Sequence, residues 1–262
     1  MHMADALLSP AVAATMYVAS GTTVGLSVKK LTADENTQKL PTMAVASALV
    51  FAGQMINYTS PGTGSSGHIC GGLLLSALLG PQAGFLSMAV VLTIQCLFFA
   101  DGGMMALGAN IWNMAFYGCF VGYYLIWRPI MRSRLFENLG EEAAQRARII
   151  AASIIGCIVT LQMGAFSVVL ETTLSGITEL PFSAFCGLML PIHLAIGLVE
   201  GLITAAVLVA LVEFRAHAVK VQALFCRYAF PEFLMLGGIC VHLVCQFSVV
   251  AFYFLPAGYP QG

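Results

Sequence analysis

Charged residues are scarce in this sequence. Only 9% of its 262 residues are Asp, Glu, Lys or Arg, and 59% are hydrophobic, whereas an ordinary soluble domain is about 25% charged. This composition excludes a soluble globular protein and predicts an integral protein of the cell membrane. We therefore expect a lipid bilayer around the chain, and no nucleic acid partner.

Several signatures of enzymes and nucleotide-binding proteins are also missing. The sequence has no G-x-x-x-x-G-K-[ST] phosphate loop, no H-E-x-x-H and no C-x-x-C. Gly62, Gly64 and Gly67 do have the spacing G-x-G-x-x-G, but apolar segments flank them instead of the strand and helix of a βαβ unit,. We expect no nucleotide bound by this chain, no catalytic residues, and cysteines that serve as small buried hydrophobes.

A signal peptide is not indicated at the start of the chain. No basic residue precedes Lys29, and Asp5 lies where the positive region of a signal peptide belongs,. We expect the first residues to be retained in the mature protein.

The eleven basic residues fall into three short stretches. Short loops that carry Lys and Arg stay on the cytoplasmic side of a membrane, so each stretch predicts a cytoplasmic loop. The N-terminus, the 60–68 loop, residues 101–103 and the 171–187 loop then lie on the outer side. The three stretches are Lys29, Lys30 and Lys39; Arg128, Arg132, Arg134, Arg146 and Arg148; and Arg215, Lys220 and Arg227.

The apolar runs predict an all-α, polytopic transmembrane bundle of about seven or eight segments in one membrane domain, residues 1–262. Crossing the bilayer core takes about 20 apolar residues. The run 69–80 is shorter than that. The chain is outside after residue 59 and inside before residue 128, which requires an odd number of crossings between them, so we count 69–80 as a short crossing. The other predicted segments are 7–28, 41–59, 83–100, 104–127, 147–170, 188–212 and 232–256.

The opening MHM has a specific metal chemistry. The amine of Met1 and the amide nitrogen of His2 close a five-membered chelate ring, and that amide with Nδ1 of His2 closes a six-membered one. Late first-row divalent ions can displace the amide proton, and a tetragonal nitrogen set suits Ni(II) or Cu(II). His68, which ends the glycine-rich loop, is the other histidine predicted in an outer loop and can fill the fourth corner.

Three further polar residues are candidates for supporting the ligands by hydrogen bonds. Asp101 and Asn110 lie in ADGGMMALGAN, where a turn and a helix-end contact would explain them equally well. His193 lies near the outer start of the predicted segment 188–212. Glu200, two turns deeper, is expected to face the bundle with a partner, because an ionisable side chain at helix centre is costly.

Three stretches carry a resemblance to a known family. They are MHMADALLSP, then the run from QMINYTSPGTGSSGH through ADGGMMALGANIWNM, and HLAIGLVEGLITAAVL. They resemble the CbiM/NikM family, the substrate-capture membrane subunits of energy-coupling-factor importers for cobalt and nickel. The likeness covers roughly residues 1–212, and 232–256 is an additional segment outside it.

The resemblance implies a ligand set and a set of partners. The family's metal ligands correspond to Met1, His2 and His68 of this sequence, and the resemblance implies Co(II) or Ni(II) as the transported substrate. It also implies a transmembrane coupling subunit, cytoplasmic ATPase subunits and, in some systems, a small accessory membrane subunit.

Two other functions and one choice of metal stay open at this point. A passive channel would need polar positions along the whole path, and a membrane metalloenzyme would need an open coordination position with a base beside it. The sequence does not choose between cobalt, which would link the chain to cobalamin biosynthesis, and nickel. The overall likeness favours cobalt slightly.

Overall fold

The described part of the chain is a bundle of helices with one short hairpin. A computed structural model describes residues 2–33, 39–56, 58–60, 65–177 and 180–229, with the backbone alone for 58–60, 65–66 and 216–229. After a single turn at Asp5–Leu7, the elements are α1 Pro10–Ala33, α2 Leu40–Gln54, β1 Tyr58–Ser60, β2 Ser65–Gly67, α3 Gly72–Leu79, α4 Pro81–Phe99, α5 Leu107–Ile111, a π-helix Trp112–Trp127, α6 Arg128–Arg132, α7 Glu141–Ser175 and α8 Phe182–Ala229.

Four helices in the described ranges are long and apolar enough to cross a membrane. They are Pro10–Ala33, Pro81–Phe99, Glu141–Ser175 and the part of α8 from Phe182 to Arg215. The helical, membrane-spanning class predicted from the sequence is thereby confirmed. The count of seven or eight segments and the outer position of the N-terminus stay predictions, and 232–256 lies outside the described residues.

The second predicted segment ends earlier than the sequence indicated. The apolar run favours a helix over 41–59, but α2 ends at Gln54, and Tyr58 pairs with Gly67 in an antiparallel hairpin. Tyr and Thr favour extended backbone, so the chain can leave the helix and bring the two ends of the glycine-rich loop together. The predicted helix end at 59 is wrong for this reason.

Helix α3 lies in the middle of the bundle. All eight of its residues are buried, and it packs against α2, α4, the π-helix, α7 and α8. At about 1.5 Å per residue it is far shorter than the membrane core. The chain turns at Gly80 and returns along α4, so His68 before α3 and Asp101 after α4 lie at the same end of the bundle.

Helices α7 and α8 make the most extensive contact of any two elements in the described residues. A Cβ atom built on Gly197 would lie 2.9 Å from the Cα of Ile158, and one built on Gly201 would lie 2.6 Å from the Cα of Ile154. Glycines four residues apart allow this close backbone approach between membrane helices. The same pair is tied near its far end by an ion pair between Arg146 and Glu213, whose N and O atoms are 3.3 Å apart.

Candidate metal centre

The first described residues of the chain are held by hydrogen bonds to the backbone of Met3. The Met3 amide donates to Oδ1 of Asn110 at 2.8 Å, and Nδ2 of Asn110 donates back to the Met3 carbonyl at 3.3 Å. The Gly103 amide donates to the same carbonyl at 2.9 Å. Because both polar groups of Met3 are bound, the position of the preceding residue, His2, is fixed.

The DGG turn is shaped around this N-terminal segment. Gly102 has φ +88°, and a Cβ there would lie 2.8 Å from Nδ1 of His2 and 2.8 Å from Nδ2 of Asn110. A Cβ on Gly103 would lie 1.8 Å from Oδ1 of Asp5 and 2.4 Å from the Asp5 amide nitrogen. Oδ1 of Asp5 in turn accepts from the Ala106 amide at 3.0 Å. Both glycines are required because the N-terminal segment occupies the space of a side chain.

We expect Gly103→Ala to weaken metal binding by displacing the N-terminal segment. The new methyl group collides with Asp5 backbone as well as its side chain, so rotation of one side chain cannot relieve the clash. An affinity loss of about 10- to 100-fold is the usual cost of disturbing groups that support metal ligands. Ni(II) titration measures it, and Gly21→Ala is the matched control because a Cβ there meets nothing within 4 Å. An unchanged affinity in Gly103→Ala would contradict the role of this docking.

His2 is buried, with 3% of its surface exposed. Its Nδ1 lies 2.9 Å from the carbonyl oxygen of Asp101 and 3.5 Å from a carboxylate oxygen of the same residue. A carbonyl only accepts, so Nδ1 carries the proton in this arrangement and Nε2 carries a lone pair. Nε2 has no hydrogen-bond partner among the described residues. Burial lowers the pKa of His2 to about 4, which keeps the ring neutral at physiological pH.

His68 is arranged like His2, with a buried ring, a hydrogen-bonded Nδ1 and a Nε2 that carries a lone pair. It is 3% exposed, its Nδ1 donates to the carbonyl of Ile69 at 2.6 Å, and its buried Nε2 also finds no partner in the described part of the chain. Burial lowers the pKa of His68 well below its ordinary value. The two imidazole rings lie edge to face, with centroids 4.8 Å apart and an interplanar angle of 63°.

His2, His68 and Asp101 form a group of potential metal ligands. One donor atom from each lies within 4.8 Å of the others, and no other group of three or more His, Cys, Asp or Glu residues in the described ranges does so. Neutral imidazole is the commonest metal ligand and suits late first-row metals. A buried lone pair without a hydrogen-bond partner is costly to maintain, and a cation held between the two imidazoles would offer each ring a partner.

Comparison with known proteins shows the family of the chain. A family model described as "CbiM: Cobalt uptake substrate-specific transmembrane region" matches residues 2–218. The chain belongs to this family. It is 39% identical over 232 residues to a putative fused nickel transport protein NikMN of Archaeoglobus fulgidus, covering 85% of this chain and 69% of that protein.

Two other matches extend over most of both chains. A putative metal transport protein of Haloquadratum walsbyi is 34% identical over 226 residues, which covers 85% of this chain and 94% of that one. A solved structure titled as a truncated transition metal transporter superposes with a TM-score of 0.70 at 31% identity, covering 82% of this chain and 99% of that chain. This CbiM-family chain is therefore a multi-pass membrane protein and a component of metal transport, not an enzyme.

The predicted ligands of this CbiM-family chain can be compared with the structure only in part. Met1 lies outside the described residues, so its amine stays a prediction. The proposed six-membered ring uses Nδ1 of His2, but that atom is bonded to the Asp101 carbonyl. A half-turn about the Cβ–Cγ bond moves Nδ1 to the opposite edge of the ring. The chelate therefore requires this hydrogen bond to be given up.

The three predicted supporting residues take different positions. Asp101 joins the histidines directly, whereas the side chain of Asn110 hydrogen-bonds the backbone of Met3. His193 is fully buried, and its Nδ1 donates to the Met189 carbonyl one turn back at 2.8 Å. Its donor atoms are not part of the three-residue group, and its buried Nε2 has no partner among the described residues.

Sequence reasoning missed a set of polar contacts beneath the site. Gln54 donates to the Cys70 carbonyl at 2.5 Å, and Gln95 donates to Gln54 at 2.8 Å. On the other side, Asn113 donates to Glu171 at 2.8 Å. Glutamine, asparagine and glutamate inside apolar helices are the available signal, because polar groups at this depth need partners.

Proposed function

We propose that this chain captures Co(II) or Ni(II) at the outer face of the membrane and presents it for ATP-driven uptake. The observation that carries the proposal is the group formed by the buried imidazoles of His2 and His68 and the carboxylate of Asp101. The Nε2 atoms of both histidines have no hydrogen-bond partner among the described residues. The metal is the transported substrate and not a resident cofactor.

We further propose that the amine of Met1, the amide and Nδ1 of His2, and His68 bind the ion together. Capture would exchange the hydrogen bond between Nδ1 of His2 and the Asp101 carbonyl for a bond to the metal, and the protons displaced from the His2 amide and the Met1 amine would leave to solvent. The proton of the ring then moves to Nε2, and Asp101 is the neighbouring acceptor, which gives it a supporting role in both states. Asn110 supports the site from further away by fixing Met3.

The proposed partners are a transmembrane coupling subunit, cytoplasmic ATPase subunits and a small accessory membrane subunit, as in an energy-coupling-factor importer. The sequence of this chain contains no phosphate-loop motif, so the energy of ATP would enter through another subunit. The word "fused" in the name of the Archaeoglobus relative supports a second transport component joined to chains of this kind.

Cobalt and nickel remain the two candidate substrates. The description of the family model names cobalt, whereas the Archaeoglobus relative is named for nickel. Affinity alone does not decide, because a nitrogen site generally binds Ni(II) more tightly than Co(II) whichever is the physiological substrate. We propose cobalt first, with nickel as the alternative.

Metal flux in proteoliposomes tests the proposed function. We expect Co(II) or Ni(II) to accumulate only when the coupling and ATPase subunits are present with ATP, and to stay outside when this chain is reconstituted alone. The matched control uses a non-hydrolysable ATP analogue in the same vesicles. Flux through this chain alone, without ATP, would contradict the importer and indicate a passive channel.

A further inference from the structure

The carboxylate of Glu200 binds the backbone directly after His68. Glu200 lies in α8 and is 2% exposed. One carboxylate oxygen accepts from the Cys70 amide at 2.5 Å, and the other accepts from the Gly71 amide at 2.9 Å. From this geometry we propose that Glu200 is a positioning residue of the metal centre, which aims the His68 imidazole by fixing the two peptides that follow it.

The backbone of Cys70 is held by side chains of two helices at once. Glu200 of α8 takes the amide of Cys70, and Gln54 of α2 donates to the carbonyl of the same residue at 2.5 Å. Since Cys70 is only two residues from His68, it has little freedom to move without moving the histidine. The position of His68 is therefore set by contacts with α8 and α2, and not by its own loop alone.

The charge of Glu200 is matched to these two donors. A buried carboxylate is costly unless hydrogen bonds compensate it, and bonds from backbone amides to a carboxylate are stronger than bonds between neutral groups. The amides also lie at the start of α3, where the helix dipole favours negative charge. Glutamine has the same shape, but it can accept from only one of the amides and turns an NH₂ group towards the other.

The connection reaches beyond the metal centre because α8 is 48 residues long. The helix runs from Phe182 to Ala229. Its internal proline, Pro191, lies before Glu200, so the part from Glu200 to Ala229 has no proline to bend it,. At about 1.5 Å per residue, a shift of the helix along or around its axis carries Glu200 with it. Movement of α8 during transport would therefore change the position of His68 directly.

Ni(II) titration of the purified full chain, with a free N-terminus and a C-terminal tag, tests this role. We expect Glu200→Gln to lower the affinity by about 10- to 100-fold, the usual cost of losing a group that orients a metal ligand. In a His68→Ala background, Glu200→Gln should cause no further loss, because its effect passes through His68. Ser27→Ala is the control: Ser27 is as buried as Glu200, and its hydroxyl donates to the Thr23 carbonyl within its own helix α1.

The inference rests on the proposed role of His68, and the titration separates the two. If His68→Ala leaves the affinity unchanged, the proposed metal centre is wrong. If His68→Ala lowers the affinity but Glu200→Gln binds like the unmodified chain, only the positioning role is overturned. Equal losses from Glu200→Gln and Ser27→Ala overturn it as well. Should Glu200→Gln not fold, as judged by thermal unfolding, Glu200→Asp replaces it. That variant keeps the charge but retracts it, so we expect a loss that again disappears in the His68→Ala background.

Discussion

His68→Ala should abolish tight Ni(II) binding while leaving the fold intact. The imidazole supplies one corner of the proposed four-nitrogen site, and its Nε2 has no other partner among the described residues. Loss of a direct ligand should exceed the roughly 10- to 100-fold that loss of an outer partner costs. His2→Ala should have an effect at least as large, because it removes a corner that no neighbour can replace.

Isothermal titration with Ni(II) and Co(II) measures this effect, and the unmodified chain should bind one ion. His217→Ala is the control, since it removes a histidine from a stretch predicted to be cytoplasmic. A thermal unfolding curve for each variant shows whether the fold persists. Unchanged stoichiometry and affinity in the His68→Ala protein would mean that the loop histidine is structural.

The second large effect concerns the position of His2 relative to the amine. Inserting one alanine between Met1 and His2 gives the chain one amine, two amides and one imidazole before Met3. These can fill all four planar positions without another residue. We expect the insertion variant to bind Ni(II) independently of His68, and to fail in transport because the ion no longer ties the N-terminus to the loop.

The measurement is Ni(II) titration of the insertion variant with and without His68→Ala, together with ATP-dependent uptake in the reconstituted complex. Docking of Met3 on Asn110 lies after the insertion, so the extra residue leaves that contact available. A variant that still requires His68 for binding would contradict the planar site, and a centre that recruits Asp101 directly would have to replace it.

The proximity of His2 and His68 was predictable because its signal is local. A histidine at the second position defines a chelate through covalent geometry, and a histidine that ends a glycine-rich loop on the same predicted side supplies a candidate partner. The structure brings the rings of His2 and His68 to 4.8 Å between centroids. This inference needed no periodic pattern of apolar residues. The family resemblance pointed to the same two residues.

The contacts that hold the N-terminal segment and the residues after His68 were not predictable in the same way. Glu200 and Cys70 are 130 residues apart in sequence, and Met3 and Asn110 are 107 apart. Nothing in the local pattern states which polar groups of a membrane bundle meet. The sequence indicated only that Glu200 needs a partner, and the partner proved to be backbone, which has no residue-specific signal.

Helix ends were the other part that the sequence predicted poorly. In a membrane protein the apolar pattern continues through turns, so hydropathy does not show where α2 gives way to the hairpin at Tyr58. The short α3 has the same difficulty, because a helix buried on all sides shows no polar face. Its central place in the bundle follows from its neighbours and not from its own eight residues.

The position of the bound ion tests the central claim most directly. An anomalous difference map from crystals of the chain with a free N-terminus, soaked in Co(II) or Ni(II), locates the metal without reference to its ligands. We predict a single strong peak within bonding distance of the Met1 amine, of the amide and imidazole of His2, and of His68. A peak bound elsewhere, or one that touches His2 and His68 but not the amine, would contradict the proposed metal centre.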